Sequence, residues 1–156
     1  MNSGLVFTLA FGIGIIAGLR ALTAPATVCW GAWLKWYSLQ DSPMHFMSTT
    51  VATCIFTILA LVELVTDKLP STPNRTVPMQ LGARIVTGGL SGATLSAGGG
   101  QSLIVGAVIG AIGALAGTFA GFHLRRGLSQ GVPPLVAALL EDAIAVGGGF
   151  FIVSRM

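Results

Sequence analysis

The sequence predicts an all-α chain: a polytopic transmembrane helical bundle of five to six spans with a broken first segment. Three observations carry that expectation. Hydrophobic residues fill 53% of the 156 positions and charged ones 8%, where a soluble domain carries about 25% charge. Four apolar runs approach or exceed the roughly twenty residues that cross a hydrocarbon core. Glycine fills 22 positions, and the five in the third of these runs recur at spacings of three and four, which lets helix backbones approach closely in lipid.

The first run covers residues 4–20. No Lys or Arg precedes it, so a retained helix is expected despite the signal-like A-x-A at Ala24–Ala26. GIGIIAG at Gly12–Gly18 has the letters of a dinucleotide-binding fingerprint, but that motif needs a strand and tight turn ahead of a helix, so it is excluded here. In the next stretch Pro25 interrupts the pattern, and Trp30, Trp33, Trp36 and Tyr37 crowd its end as interfacial aromatics do. It is expected as a short sixth span after a break between Gly18 and Pro25, with a surface-lying helix as the alternative. Asp41 and Pro43 mark a long turn before the second run, 46–66. Residues 79–97 form a short or broken helix carrying Arg84, and Gly98–Gln101 a tight turn. The third run, 102–123, holds Gly106, Gly110, Gly113, Gly117 and Gly121. At about 100° per residue these fall on one face, which predicts tight packing inside the protomer or across a dimer. The fourth run is 132–153.

The charges set the topology. Lys68 and Arg75 in one loop, with Arg125 and Arg126 in another, outweigh Lys35 and Arg155. The positive-inside rule therefore places loops 67–80 and 124–131 in the cytoplasm. One transmembrane domain, 1–156, is expected. Six spans would divide it into 1–70 and 71–156, two halves of opposite orientation, the layout of an inverted repeat of three plus three. GLRALT at Gly18–Thr23 and GARIVT at Gly82–Thr87 are the paired segments that raise this reading. The charges form no basic stripe, so no nucleic-acid partner is expected. Cys29 and Cys54 lack disulfide or zinc-ligand patterning and read as packing residues; no metal or other cofactor is expected.

Six ionisable residues fall in or near the spans: Arg20, Glu63, Asp67, Arg84, Glu141 and Asp142. Each costs about 2.5–3.5 kcal/mol at a helix centre, so such groups pair or face a polar cavity. Glu63 and Asp67 share a helix face. Glu141 and Asp142 diverge, one directed at an arginine and the other at a pocket or neighbouring helix, and Gly147–Gly149 after them would admit another backbone. On a structural reading, Arg20 and Arg84 pair with Glu63, Glu141 or Asp142 and fix how the helices dock. On a functional reading these groups line a path beside the broken segment, as in transporters. Glu63, Glu141 or Asp142 would bind a cation or proton while the two arginines gate occupancy; an anion on the arginines is the mirror case. The leading expectation is a small transporter or channel, a homodimer whose partners are membrane lipids and a small ion or metabolite. A non-transporting scaffold or lipid-binding protein is the alternative, and a lipid-modifying enzyme a third. HExxH is missing from the sequence, and His45 and His123 read as interfacial.

GLRALTAP (Gly18–Pro25), ELVTDKLPSTPNR (Glu63–Arg75), GARIVTGGL (Gly82–Leu90) and PPLVAALLEDAIAV (Pro133–Val146) together resemble, in order, the signatures of the bacterial membrane family known as domain of unknown function 4126. The resemblance implies a bacterial, multi-pass inner-membrane protein. It points to Arg20, Glu63, Asp67, Lys68, Pro70, Arg84, Glu141 and Asp142, and it implies no activity.

Overall fold

The computed structural model describes residues 2–67, 78–128, 131 and 133–156, and these are helical with no strand among them. The elements are α1 (Ser3–Leu19), α2 (Thr23–Trp33), a 3-10 turn (Pro43–Ser48), α3 (Thr50–Thr66), α4 (Pro78–Gly98), α5 (Leu103–Leu128) and α6 (Pro134–Val153). Over Leu103–Gly127 and Pro134–Val153, α5 and α6 are long and apolar enough to cross a membrane, while α1 and α3 are apolar but shorter.

Local chemistry explains most boundaries. Asn2 and Thr49 cap α1 and α3 by accepting from Gly4 N–H at 3.1 Å and Ala52 N–H at 3.2 Å. Proline opens α6, where a missing N–H costs nothing. Two helices end in the same left-handed motif. After α2, Lys35 takes φ 62° and Trp36 N–H reaches Gly31 O at 3.0 Å. After α4, Gly100 takes φ 69° and Gln101 N–H reaches Ser96 O at 2.7 Å.

The break in the first segment falls at Arg20–Leu22, ahead of Pro25. Pro25 is the third residue of α2, in the first turn, where its ring is tolerated. The helix carrying Arg84 is neither short nor broken: α4 runs unbroken for 21 residues. Three of its glycines, Gly88, Gly89 and Gly92, lie against the backbone of α5.

Contacts give the direction of each helix. Gly14 packs on Gly110 and Gly18 on Ala114–Thr118, so α1 and α5 are parallel. Gly88 lies against Gly110 and Gly92 against Gly106, so α4 runs antiparallel to α5. Thr27 meets Gly149 and Val153 meets Gly31, which makes α2 parallel to α6; Gly12 against Ile152 and Gly148 against Ile16 make α6 antiparallel to α1. The chain therefore turns back at Arg20–Leu22, and α1 and α2 form a helical hairpin. Trp33 bonded to Thr50 and Trp30 to Thr57 run α3 antiparallel to α2. Successive helices alternate in direction.

The hairpin tip is internal. Gly18 sits level with Ala114–Thr118, and α5 continues to Leu128, about 15 Å further at 1.5 Å per residue. At eleven residues, α2 spans about 16 Å, half a hydrocarbon core. The α5 glycines explain how three helices enclose the tip so closely. A Cβ at Gly106 or Gly110 would overlap α4, at Ser96 or Gly88, and one at Gly113 or Gly117 would overlap α1, at Phe11 or Ile15. Four glycines of the stripe are thus used within the protomer, divided between two neighbours.

Candidate functional site

Breaking a helix inside the bundle strands the last carbonyls of α1 and the first N–H groups of α2 away from water, where each needs a partner. Charged side chains from distant segments supply them. Arg84 Nη1 donates to Gly18 O, and to Leu19 O at 3.1 Å. Thr118 Oγ1 adds a bond to Gly18 O at 3.3 Å. At the other end of the gap, Glu63 Oε1 accepts from Ala21 N–H at 2.7 Å and Oε2 from Leu22 N–H at 2.8 Å. The signs agree with the helix dipoles: a cation at the C-terminus of α1 and an anion at the N-terminus of α2.

Between these caps lies Arg20, wholly buried. Its Nη1 pairs with Asp67, the residue that ends α3, and its Nη2 with Asp142 in α6. One guanidinium thus ties the hairpin tip to two other helices. The neighbouring acid, Glu141, turns to a different partner, pairing with Arg125 Nη2 on α5 at 2.9 Å.

Five of the six residues read from the sequence, Arg20, Glu63, Asp67, Arg84 and Asp142, therefore meet at the break, while Glu141 belongs to a second pair between α5 and α6. The partners differ from the expected ones in three respects, the first being that Arg20 pairs with Asp67 as well as with Asp142. Glu63 binds backbone N–H groups, and the described hydrogen bonds of Arg84 go to carbonyl oxygens. Arg125, read as a loop charge, is the partner the sequence did not single out. The divergence of Glu141 and Asp142 is as expected, since adjacent helical residues point about 100° apart. Of the glycines after them, Gly148 and Gly149 face side chains of α1 and α2, Ile16 and Thr27, and a Cβ at Gly147 would have open space around it. Lys68 and Pro70 lie outside the described residues.

A groove of about 360 Å³ lies between α3 and α4 beside the hairpin tip, and Glu63, Thr66, Asp67, Gln80, Arg84 and Thr87 supply its polar lining. A small occupant there would meet two carboxylates already held in place by the break. A second groove, about 230 Å³, lies between α5 and α6 at the Arg125–Glu141 pair. His45, in the 3-10 turn, and His123, edge-on to Phe122 with ring centroids 5.6 Å apart, stand apart from the cluster. Among the described residues no group of three or more His, Cys, Asp or Glu could hold a metal ion. Cys29 is buried, with Sγ 3.8 Å from Met47 Sδ, as a packing residue should be. Cys54 is instead exposed on α3, at an open groove that it lines together with Trp30 and Trp33 of α2.

No curated protein and no solved structure gives a significant match to the chain. A family model described as Domain of unknown function (DUF4126) matches residues 7–154, a span that takes in the whole charge cluster. With nearly its full length matched and the charged residues of the break inside the match, the chain belongs to the DUF4126 family.

Proposed function

We propose that the chain is a small multi-pass membrane transporter or channel of the bacterial inner membrane, moving a cation or proton past the broken helix. The membrane part of this reading draws on the outer surface. Val51 is 68% exposed, Val65 65%, Val86 68%, Ile104 77% and Phe151 60%, more large apolar side chains than a water-facing surface accommodates without a partner. The lines of contact support six alternating segments, α2 being half-length. The α3–α4 and α5–α6 connections then share one side, the cytoplasmic one by the charge of loops 67–80 and 124–131. In such a chain α1–α3 and α4–α6 run in opposite senses, as pseudo-repeats 1–70 and 71–156 of a single domain require.

One observation carries the transport reading: the break lies inside the bundle and a groove lined by Glu63 and Asp67 opens beside it. Irregular backbone at membrane depth is tolerated where it is buried in protein or lines a cavity, and here it does both. A cation or proton entering the groove would compete with Arg20 for Asp67. Arg20 retains Asp142 as an alternative anchor, so the guanidinium could shift between two carboxylates as occupancy changes.

The test is ion flux in proteoliposomes. Glu63→Gln and Asp67→Asn should abolish the flux of the transported cation; flux unchanged for every ion and metabolite tried, Glu141→Gln included, would remove the carboxylate path. A second reading, a non-transporting scaffold, is favoured by a specific observation: the described carboxylates of the cluster all have partners within the protein. On that reading the same variants change stability and nothing else.

A further inference from the structure

We propose that the groove between α5 and α6 binds an anionic phospholipid, one acyl chain lying along the groove and the headgroup phosphate resting on Arg125. The proposal rests on the membrane part of the reading above but not on transport.

Helices joined by a short connection usually pack against each other, yet α5 and α6 barely touch among the described residues. Instead they flank the gap of about 230 Å³, whose walls are Leu19, Gly121, Leu124, Ala137, Leu140 and Ile144. A gap so lined gives water too few polar partners to be held, and Leu124, Leu140 and Ile144 are half exposed at its rim. In a bilayer the material at hand to fill it is a hydrocarbon tail.

Charge identifies the headgroup. Arg125 closes the groove from the last turn of α5, next to Arg126, with 39% of its side chain exposed. Glu141 holds Nη2 at 2.9 Å and so fixes the guanidinium at the mouth. A guanidinium carries five donors in a planar fork suited to phosphate oxygens, and this pair uses one side of it. On the side assigned to the cytoplasm by charge, basic residues between helices meet the anionic leaflet. An apolar slot ending in an oriented arginine matches a phospholipid part for part.

The experiment is native mass spectrometry of the full chain in detergent, titrated separately with phosphatidylglycerol and phosphatidylcholine. Phosphatidylglycerol should be retained about fivefold more strongly, the worth of one arginine near a headgroup. The double variant Arg125→Gln/Glu141→Gln removes the pair without orphaning a carboxylate and should abolish that preference, while Arg125→Lys, which keeps the charge, should retain it. Ile144→Trp, which fills the rim, should weaken both lipids. Equal retention of the two lipids by the unmodified protein, a preference surviving the double variant, or lipid binding indifferent to Ile144→Trp would each overturn the proposal. Because the readout is lipid occupancy, a silent flux assay leaves the result standing.

Discussion

Glu63 and Leu22 lie 41 positions apart in the chain, yet Glu63 Oε2 accepts from the Leu22 N–H at 2.8 Å. A residue of α3 thus holds the N–H of the residue that caps α2, as the glutamate of a capping box does from within its own helix. Since Oε1 does the same for Ala21, Glu63→Ala would strand two donors at the hairpin tip. At about 1–3 kcal/mol for each buried donor left unsatisfied, the variant should unfold at clearly lower temperature in detergent. Glu63→Gln keeps one acceptor and should lie between. Equal thermal stability for all three proteins would show that the cap contributes nothing.

Arg84 is the counterpart at the end of α1. Arg84→Ala should cost about 1–3 kcal/mol, most of it at Leu19, because Gly18 O keeps its bond from Thr118. Arg84→Lys should recover only part of the loss, since an ammonium lacks the fork that spans two carbonyls. Full recovery with lysine would mean that charge alone, and not the paired geometry, holds the C-terminus of α1.

Much of this cluster was legible in the sequence, for identifiable reasons. Ionisable residues are so rare in apolar segments that Arg20, Arg84 and the four acids mark themselves, and their cost in lipid implies partners. That the first segment breaks also follows from its glycine and proline content. Where it breaks does not. Pro25 is the local signal, but the tip at Arg20–Leu22 is fixed by Arg84 and Glu63, whose positions depend on how four helices pack. Spacing likewise cannot tell a carboxylate that meets an arginine from one that meets a backbone N–H. Arg125 escaped because a basic residue at a helix end is ordinarily explained by topology. The glycine spacing predicted close packing; its division between α1 and α4 required both partners to be in place.

That division yields opposite outcomes at two glycines. A Cβ at Gly110 would run into the carbonyl of Gly88, whereas one at Gly147, within α6, meets nothing within 4 Å. Gly147→Ala should therefore stabilise by about 0.5–1 kcal/mol through helix propensity alone. Gly110→Ala has the same propensity gain but must push α4 and α5 apart, so it should destabilise, and Gly110→Leu should prevent folding. Thermal unfolding of the three variants checks the pair; a stable Gly110→Leu protein would contradict the close α4–α5 contact.

Stability and function can be separated at Arg20. Removing the arginine alone leaves Asp67 and Asp142 facing each other without their shared cation, so Arg20→Met should be among the most damaging substitutions, at about 3–5 kcal/mol. Neutralising all three positions at once, Arg20→Met/Asp67→Asn/Asp142→Asn, removes the burial cost of the charges as well as their attraction, and such replacements are often neutral. The triple variant should recover most of the thermal stability that Arg20→Met loses. If the charges serve only to dock helices, a protein so recovered keeps whatever activity the membrane assay detects. If the pair of carboxylates is where a cation or proton displaces the guanidinium, the triple variant is folded but silent. Flux and unfolding temperature measured on the same preparations decide between those outcomes, and they do so without the ambiguity of a single substitution that unfolds the protein.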